Sequence, residues 1–223
     1  MNASVAASLR AFITQYTQVE KHSDLGLLEA LEQVFQSEHS FMEKTTAMDA
    51  CFDDYPVFEA LREPSFDLLL MQFFSSDVER LEGDYLESEE WLHIEEETLE
   101  RGTELLNVLL YIRECRDEEI AIDLSDFLKE FLLVEEDEFQ DEHRIYEPVI
   151  AHQVLVDSSY AEIARVGATL DAQDEIAELF YPLMSFFNEP APDKTQMQEF
   201  INQSTNPAFE SAVYQLLSTY AQN

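Results

Sequence analysis

Apolar residues recur at intervals of three and four along most of the chain, the period of one face of an α-helix. Val5, Leu9, Phe12, Ile13, Tyr16 and Val19 form one such stripe and predict a first helix ending near Lys21. Leu25, Leu28, Leu31, Val34 and Phe35 predict a second. The pattern breaks at DDYPVF, where Tyr55 precedes Pro56 and is pushed out of the α region, and Pro64 is expected to break it again. From about Ser65 a third helix follows, in which Leu68, Leu69, Leu70, Met71, Phe73 and Phe74 leave no clean polar face. A helix apolar all round is predicted to be central.

The stretch from Ser88 to Arg113 predicts one long helix. Trp91, Ile94, Thr98, Leu105, Leu109 and Ile112 share a sector, and Leu92, Leu99, Leu106 and Leu110 widen it. Glu89, Glu90, His93, Glu96, Glu97 and Glu100 fall largely opposite, as a solvated face. Glu95 and Gly102 depart from the pattern, because both project into the apolar sector. After the acidic loop RDEEIAIDLS, Ser125 is expected to cap a helix carrying Phe127, Leu128, Phe131 and Leu132. The run VEEDEFQDEH then leads into RIYEPVIAHQVLV, where Phe139, Tyr146, Val149 and Ile150 share a face and Pro148 kinks a helix or marks its start.

Ser159 with Glu162 and Thr195 with Gln198 have capping-box spacing, and Asn206 with Pro207 reads as an N-cap and first-turn proline. A further helix is expected from Asp171 through Phe187, and NEPAPDKT is the one clear linker. The predicted fold class is therefore all-α, a single-domain helical bundle of about eight to ten helices. Residues 1–187 form its main part, and a linker with a C-terminal helical pair, 188–223, packs on it. Four glycines and seven prolines agree, since an all-β chain needs many more reversals.

Composition adds that the chain is globular: it is 46% hydrophobic and 12% aromatic, enough for a substantial core. Charge changes the picture more. Forty-eight acidic residues against twelve basic ones give a formal net charge of −36, with lysine only at Lys21, Lys44, Lys129 and Lys194. Such a surface repels phosphate backbones, which excludes direct nucleic-acid binding, and it disfavours anionic membranes. MNASVAASLRAFITQY lacks the pattern of a signal peptide, and no run approaches the roughly 20 apolar residues of a membrane span, so a cytoplasmic location is expected. Cys51 and Cys115 form no CxxC and read as two reduced thiols.

Few sites of chemistry are legible. Glu90 to His93 is a Glu-x-x-His spacing, but a di-iron bundle needs two, facing inward, and this one lies on the polar face. VEEDEFQDEH lacks the glycine and alternating ligands of a calcium loop, and there is no GxSxG, P-loop or GxGxxG. The chain reads as a non-enzymatic protein without cofactor or metal, whose partner is a basic peptide or protein. Residues expected to meet that partner are Trp91, Glu95, Glu142, His143 and Tyr146. Glu95, placed toward the core, needs a partner or a proton, and His143 is the candidate.

Residues Asp126 to Leu170, DFLKEFLLVEEDEFQDEHRIYEPVIAHQVLVDSSYAEIARVGATL, place His143, Tyr146, Pro148 and Tyr160 in order after a leucine-rich helix. This segment resembles the late helices of the TorD, DmsD and NarJ type of redox-enzyme maturation chaperone. The resemblance implies an all-α, cofactor-free protein that binds a molybdoenzyme or its twin-arginine signal peptide, whose paired arginines and apolar stretch suit an acidic protein. A second expectation is a DNA mimic occupying the basic groove of a DNA-binding protein, because helical carboxylates at i, i+4 lie about 6 Å apart, near the phosphate repeat. A surface adapted to high salt accords with the low lysine count but not with sixteen phenylalanines.

Overall fold

A computed structural model describes residues 1–21, 26–76, 85, 87–99, 101–102, 104–135, 138–139, 146–171, 174 and 176–223. It is an all-α bundle with twelve α-helices among these residues, more than the eight to ten expected. In chain order they are α1 (Ala3–Glu20), α2 (Gly26–Gln36), α3 (Phe41–Asp54), α4 (Arg62–Ser76), α5 (Glu89–Glu97) and α6 (Leu106–Asp117). There follow α7 (Leu124–Leu132), α8 (Glu147–Ala151), α9 (Tyr160–Gly167), α10 (Ala177–Asn188), α11 (Lys194–Gln203) and α12 (Pro207–Gln222). Single 3-10 segments, Pro56–Leu61 and Gln153–Asp157, connect α3 to α4 and α8 to α9. Part of the acidic run forms a ribbon, with Leu133–Glu135 antiparallel to Glu138–Phe139.

The core is organised around α1 and α12, which lie against each other along much of their length. Small residues permit this: Ser4 and Ser8 of α1 and Ala208, Ser211 and Ala212 of α12 are all buried. Around that seam Val5, Leu9, Phe12 and Ile13 meet Val213, Leu216 and Leu217, each fully buried. Asn2 caps α1 by accepting from the Ser4 and Val5 amides, and the helix stops where Lys21 turns left-handed, at the predicted place. The apolar run of α4 is buried throughout, as a central helix requires.

Several starts differ from expectation for local reasons. Pro64 does not interrupt α4, because it lies in the first turn, where a missing amide hydrogen costs nothing. Asp123 rather than Ser125 serves the start of α7, accepting the Asp126 amide at 3.1 Å. Asp193, with Gln196, forms the capping box of α11 in place of Thr195 with Gln198. Both carboxylate caps also sit where the helix dipole favours negative charge.

The largest departure is the predicted Ser88 to Arg113 helix, which is two helices with a break between Glu97 and Leu106. Ser88 caps the first, accepting the Trp91 amide at 3.2 Å. Thr98 turns its hydroxyl onto the Ile94 carbonyl at 2.7 Å, and Gly102 lowers helix propensity by about 1 kcal/mol relative to alanine. Long-range contacts then hold the break open: the Arg101 guanidinium pairs with Asp49 and Glu63, and the Leu105 amide donates to Asp67 at 3.2 Å. Tertiary bonding at Arg101 and Leu105 outweighs the regular period.

Candidate functional site

The break between α5 and α6 leaves two acidic features that face different ways. The first is the outer face of α5. Its inward stripe is narrow, consisting of Trp91, Ile94 and Thr98, of which Ile94 alone is fully buried. Trp91 rests against Phe73, Phe74 and Tyr85, with ring centroids 5.2 to 6.4 Å apart. Leu92 and Leu99 are 52% and 78% exposed, and Glu95 and Glu96 stand exposed between them. The projection of Glu95 into the core is therefore corrected. Leu92 and Leu99 do not widen the buried sector, so Glu95 shares the solvent side with them and needs no buried partner.

Glu142 and His143 lie outside the described residues, and so does the expected pairing of Glu95 with His143. Tyr146 is fully buried, and this places it in the core rather than at a partner's surface. Its hydroxyl donates to the Glu104 carbonyl, and burial pushes its pKa far above the usual phenol range. Pro148 stands in the first turn of α8, and Tyr160 opens α9 with its hydroxyl 3.0 Å from that of Tyr214. Cys51 and Cys115 are free thiols, raised by burial above the usual thiol range.

The second feature was not anticipated from sequence. A pocket of about 370 Å3 opens between the start of α4, the 101–105 turn, α10 and α12. Glu59, Glu63, Asp67, Glu104 and Glu178 supply its acid groups, and Leu105, Leu179 and Phe209 supply apolar wall. Among the described residues Arg62 is its one lining cation, and that guanidinium is committed to Glu59, Asp49 and Asp53 at 2.8 to 3.2 Å. Arg101, lying over the Phe66 ring, holds one oxygen of Glu63 at 3.1 Å.

Asp67 is the unusual member. It is 1% exposed, its Oδ2 accepts from the Leu105 amide, and its Oδ1 has no hydrogen-bond partner. Burial first, then the negative charges of Glu104 and Glu63, raise its pKa well above the usual carboxylate range, and backbone hydrogen bonds offset this in part. The second buried oxygen of Glu63, Oε2, is likewise without a partner. Glu104 curls back over Gly102, where an added Cβ would stand 2.6 Å from its Oε2. Tyr146, from behind, fixes the carbonyl of the same Glu104.

Among the described residues no three His, Cys, Asp or Glu side chains are grouped closely enough to hold a metal ion. Nor is any helix among them long and apolar enough to cross a membrane. Comparison with known proteins finds no matching family model, curated protein or solved structure.

Proposed function

We propose that this chain is a non-enzymatic, acidic helical binding protein for a basic and partly apolar segment of another protein, acting as chaperones of the TorD, DmsD and NarJ type do. The observation that carries the reading is how its own cations are spent. Arg10, Arg62, Arg101, Arg113, Arg116 and Arg165 each contact an acidic side chain of the same chain. The surplus acid, 48 groups against 12 basic ones, is left to external cations. Where that surplus lies beside exposed Leu92 and Leu99, a partner offering both positive charge and apolar side chains gains twice.

DNA mimicry has less support, because it needs carboxylates along an extended line. Among the described residues of the acidic stretch Asp77 to Glu142, on which mimicry would draw, the exposed acidic helix α5 is nine residues long, about 14 Å by helical rise. The test is a fluorescent peptide carrying paired arginines followed by an apolar stretch, titrated beside a version with glutamine for both arginines. Binding by the first and loss of at least tenfold with the second supports the reading. Equal affinity of the two overturns it, and tight capture of a DNA-binding protein with neither peptide bound favours mimicry.

A further inference from the structure

We infer that the pocket between α4, the 101–105 turn, α10 and α12 is a receptor for one alkylguanidinium group, an arginine side chain of the basic partner. This rests on the function proposed above but concerns a different place on the molecule from the α5 face. Five lining carboxylates surround a space too widely spread for a metal ion, and an apolar wall of Leu105, Leu179 and Phe209 fits an aliphatic stem. The buried Oδ1 of Asp67 and Oε2 of Glu63 have no hydrogen-bond partner, and each becomes an open acceptor when its carboxyl is ionised. Buried polar atoms are almost always satisfied, so two orphans on one pocket mark where a donor belongs. A planar guanidinium carries five N–H donors in a fixed fork and can serve several carboxylate oxygens together, which an ammonium does less well.

Protonation follows from the same geometry. Asp67 faces Glu63, Glu104 and the Tyr146 phenol, with Glu59 and Glu178 lining the space, while Arg62 pairs with Glu59 and Asp49 and Arg101 with one oxygen of Glu63 and with Asp49, neither with Asp67. Its carboxyl therefore holds its proton more strongly than a free aspartic acid does. An arriving guanidinium favours the ionised form, so Asp67 gives its proton to solvent and becomes a carboxylate facing the cation. Affinity for a guanidinium then rises with pH through the range over which Asp67 ionises.

The experiment is a titration of the full chain with N-acetylarginine amide and its uncharged counterpart N-acetylcitrulline amide, followed by calorimetry and by the amide resonances of Gly102 and Leu105. Agmatine is run in parallel. The expected result is one saturable site for the arginine probe, none for the citrulline probe, and movement of those two resonances. Asp67→Asn and Glu104→Gln should each weaken the probe at least tenfold, while Glu95→Gln leaves it unchanged. Citrulline binding as well as arginine, or wild-type affinity in both pocket variants, overturns the site. Agmatine binding a hundredfold tighter than the arginine probe would assign the pocket to a free guanidino compound and overturn the partner arginine. If the arginine probe binds but no basic peptide does, the site stands and the proposed function falls. If a basic peptide binds wild type and both pocket variants alike, the function stands and the site falls.

Discussion

Replacing Asp67 by asparagine should stabilise the protein, and the gain should grow with pH. The folded-state pKa of Asp67 is raised above the ordinary value of 3.8, so the folded chain retains a proton that the unfolded chain loses first. Stability is therefore fully present below the ordinary value and is lost as pH rises toward the raised one. Asparagine keeps the acceptor for the Leu105 amide, places an NH2 donor beside Glu63 and Glu104, and cannot ionise. Relief of one unsatisfied buried group is worth about 1–3 kcal/mol. In a chain of 223 residues that corresponds to roughly 2–4 °C in Tm for each kcal/mol. Urea unfolding followed by circular dichroism at pH 4, 5.5 and 7 measures the difference between variant and wild type, which cancels the general self-repulsion of the acidic surface. The expected difference is near zero at pH 4 and reaches about 1–3 kcal/mol at pH 7. A variant less stable than wild type at pH 7 would refute the reasoning, since Asp67 would then be an ionised carboxylate already held by a cation.

Tyr146→Phe strips a donor from the Glu104 carbonyl and should cost about 1–2 kcal/mol by the same urea measurement, while also weakening the arginine probe. Trp91→Ala, which removes a ring packed on Phe73 and Phe74, should cost about 2–4 kcal/mol, whereas Leu99→Ala on the open side of α5 should change stability by less than about 0.5 kcal/mol and lower affinity for the basic, apolar peptide. Asp193→Ala should destabilise by about 1 kcal/mol through loss of the α11 cap, with Thr195→Ala costing less in the same melts.

Much of the fold was legible because burial in a helical bundle is written at a spacing of three and four. The stripe on α1 and the saturated run on α4 occupy the core where their patterns place them. The missed α3 had a signal of its own, the Ser40 and Glu43 capping box, but its apolar face is thin. The fused α5 and α6 could not be separated by period alone, since both halves carry helical spacing and the break is held by Asp49, Glu63 and Asp67, 38 to 52 residues earlier in the chain. The same separation hid the pocket. Its local sign is Asp67, a carboxylate in SFDLLLMQFF with Glu63 and Glu59 four and eight residues before it, but Glu104 and Glu178 come from distant segments that no sequence spacing relates to these. Glu95 was misplaced because leucines flanking it were assigned to the core, yet Leu92 and Leu99 are exposed.

The central claim, that the unneutralised acid surface exists to receive a basic and partly apolar segment, is tested most directly by the salt dependence of peptide binding. A peptide with paired arginines and an apolar stretch is titrated into the full chain at 20, 100 and 300 mM salt, where the Debye length falls from about 20 Å to about 6 Å. The account predicts tight binding at the lowest salt, a fall of at least tenfold across the series, and a residual affinity at the highest salt that Leu99→Ala removes. Absence of binding at 20 mM salt, or an affinity indifferent to salt, would contradict it.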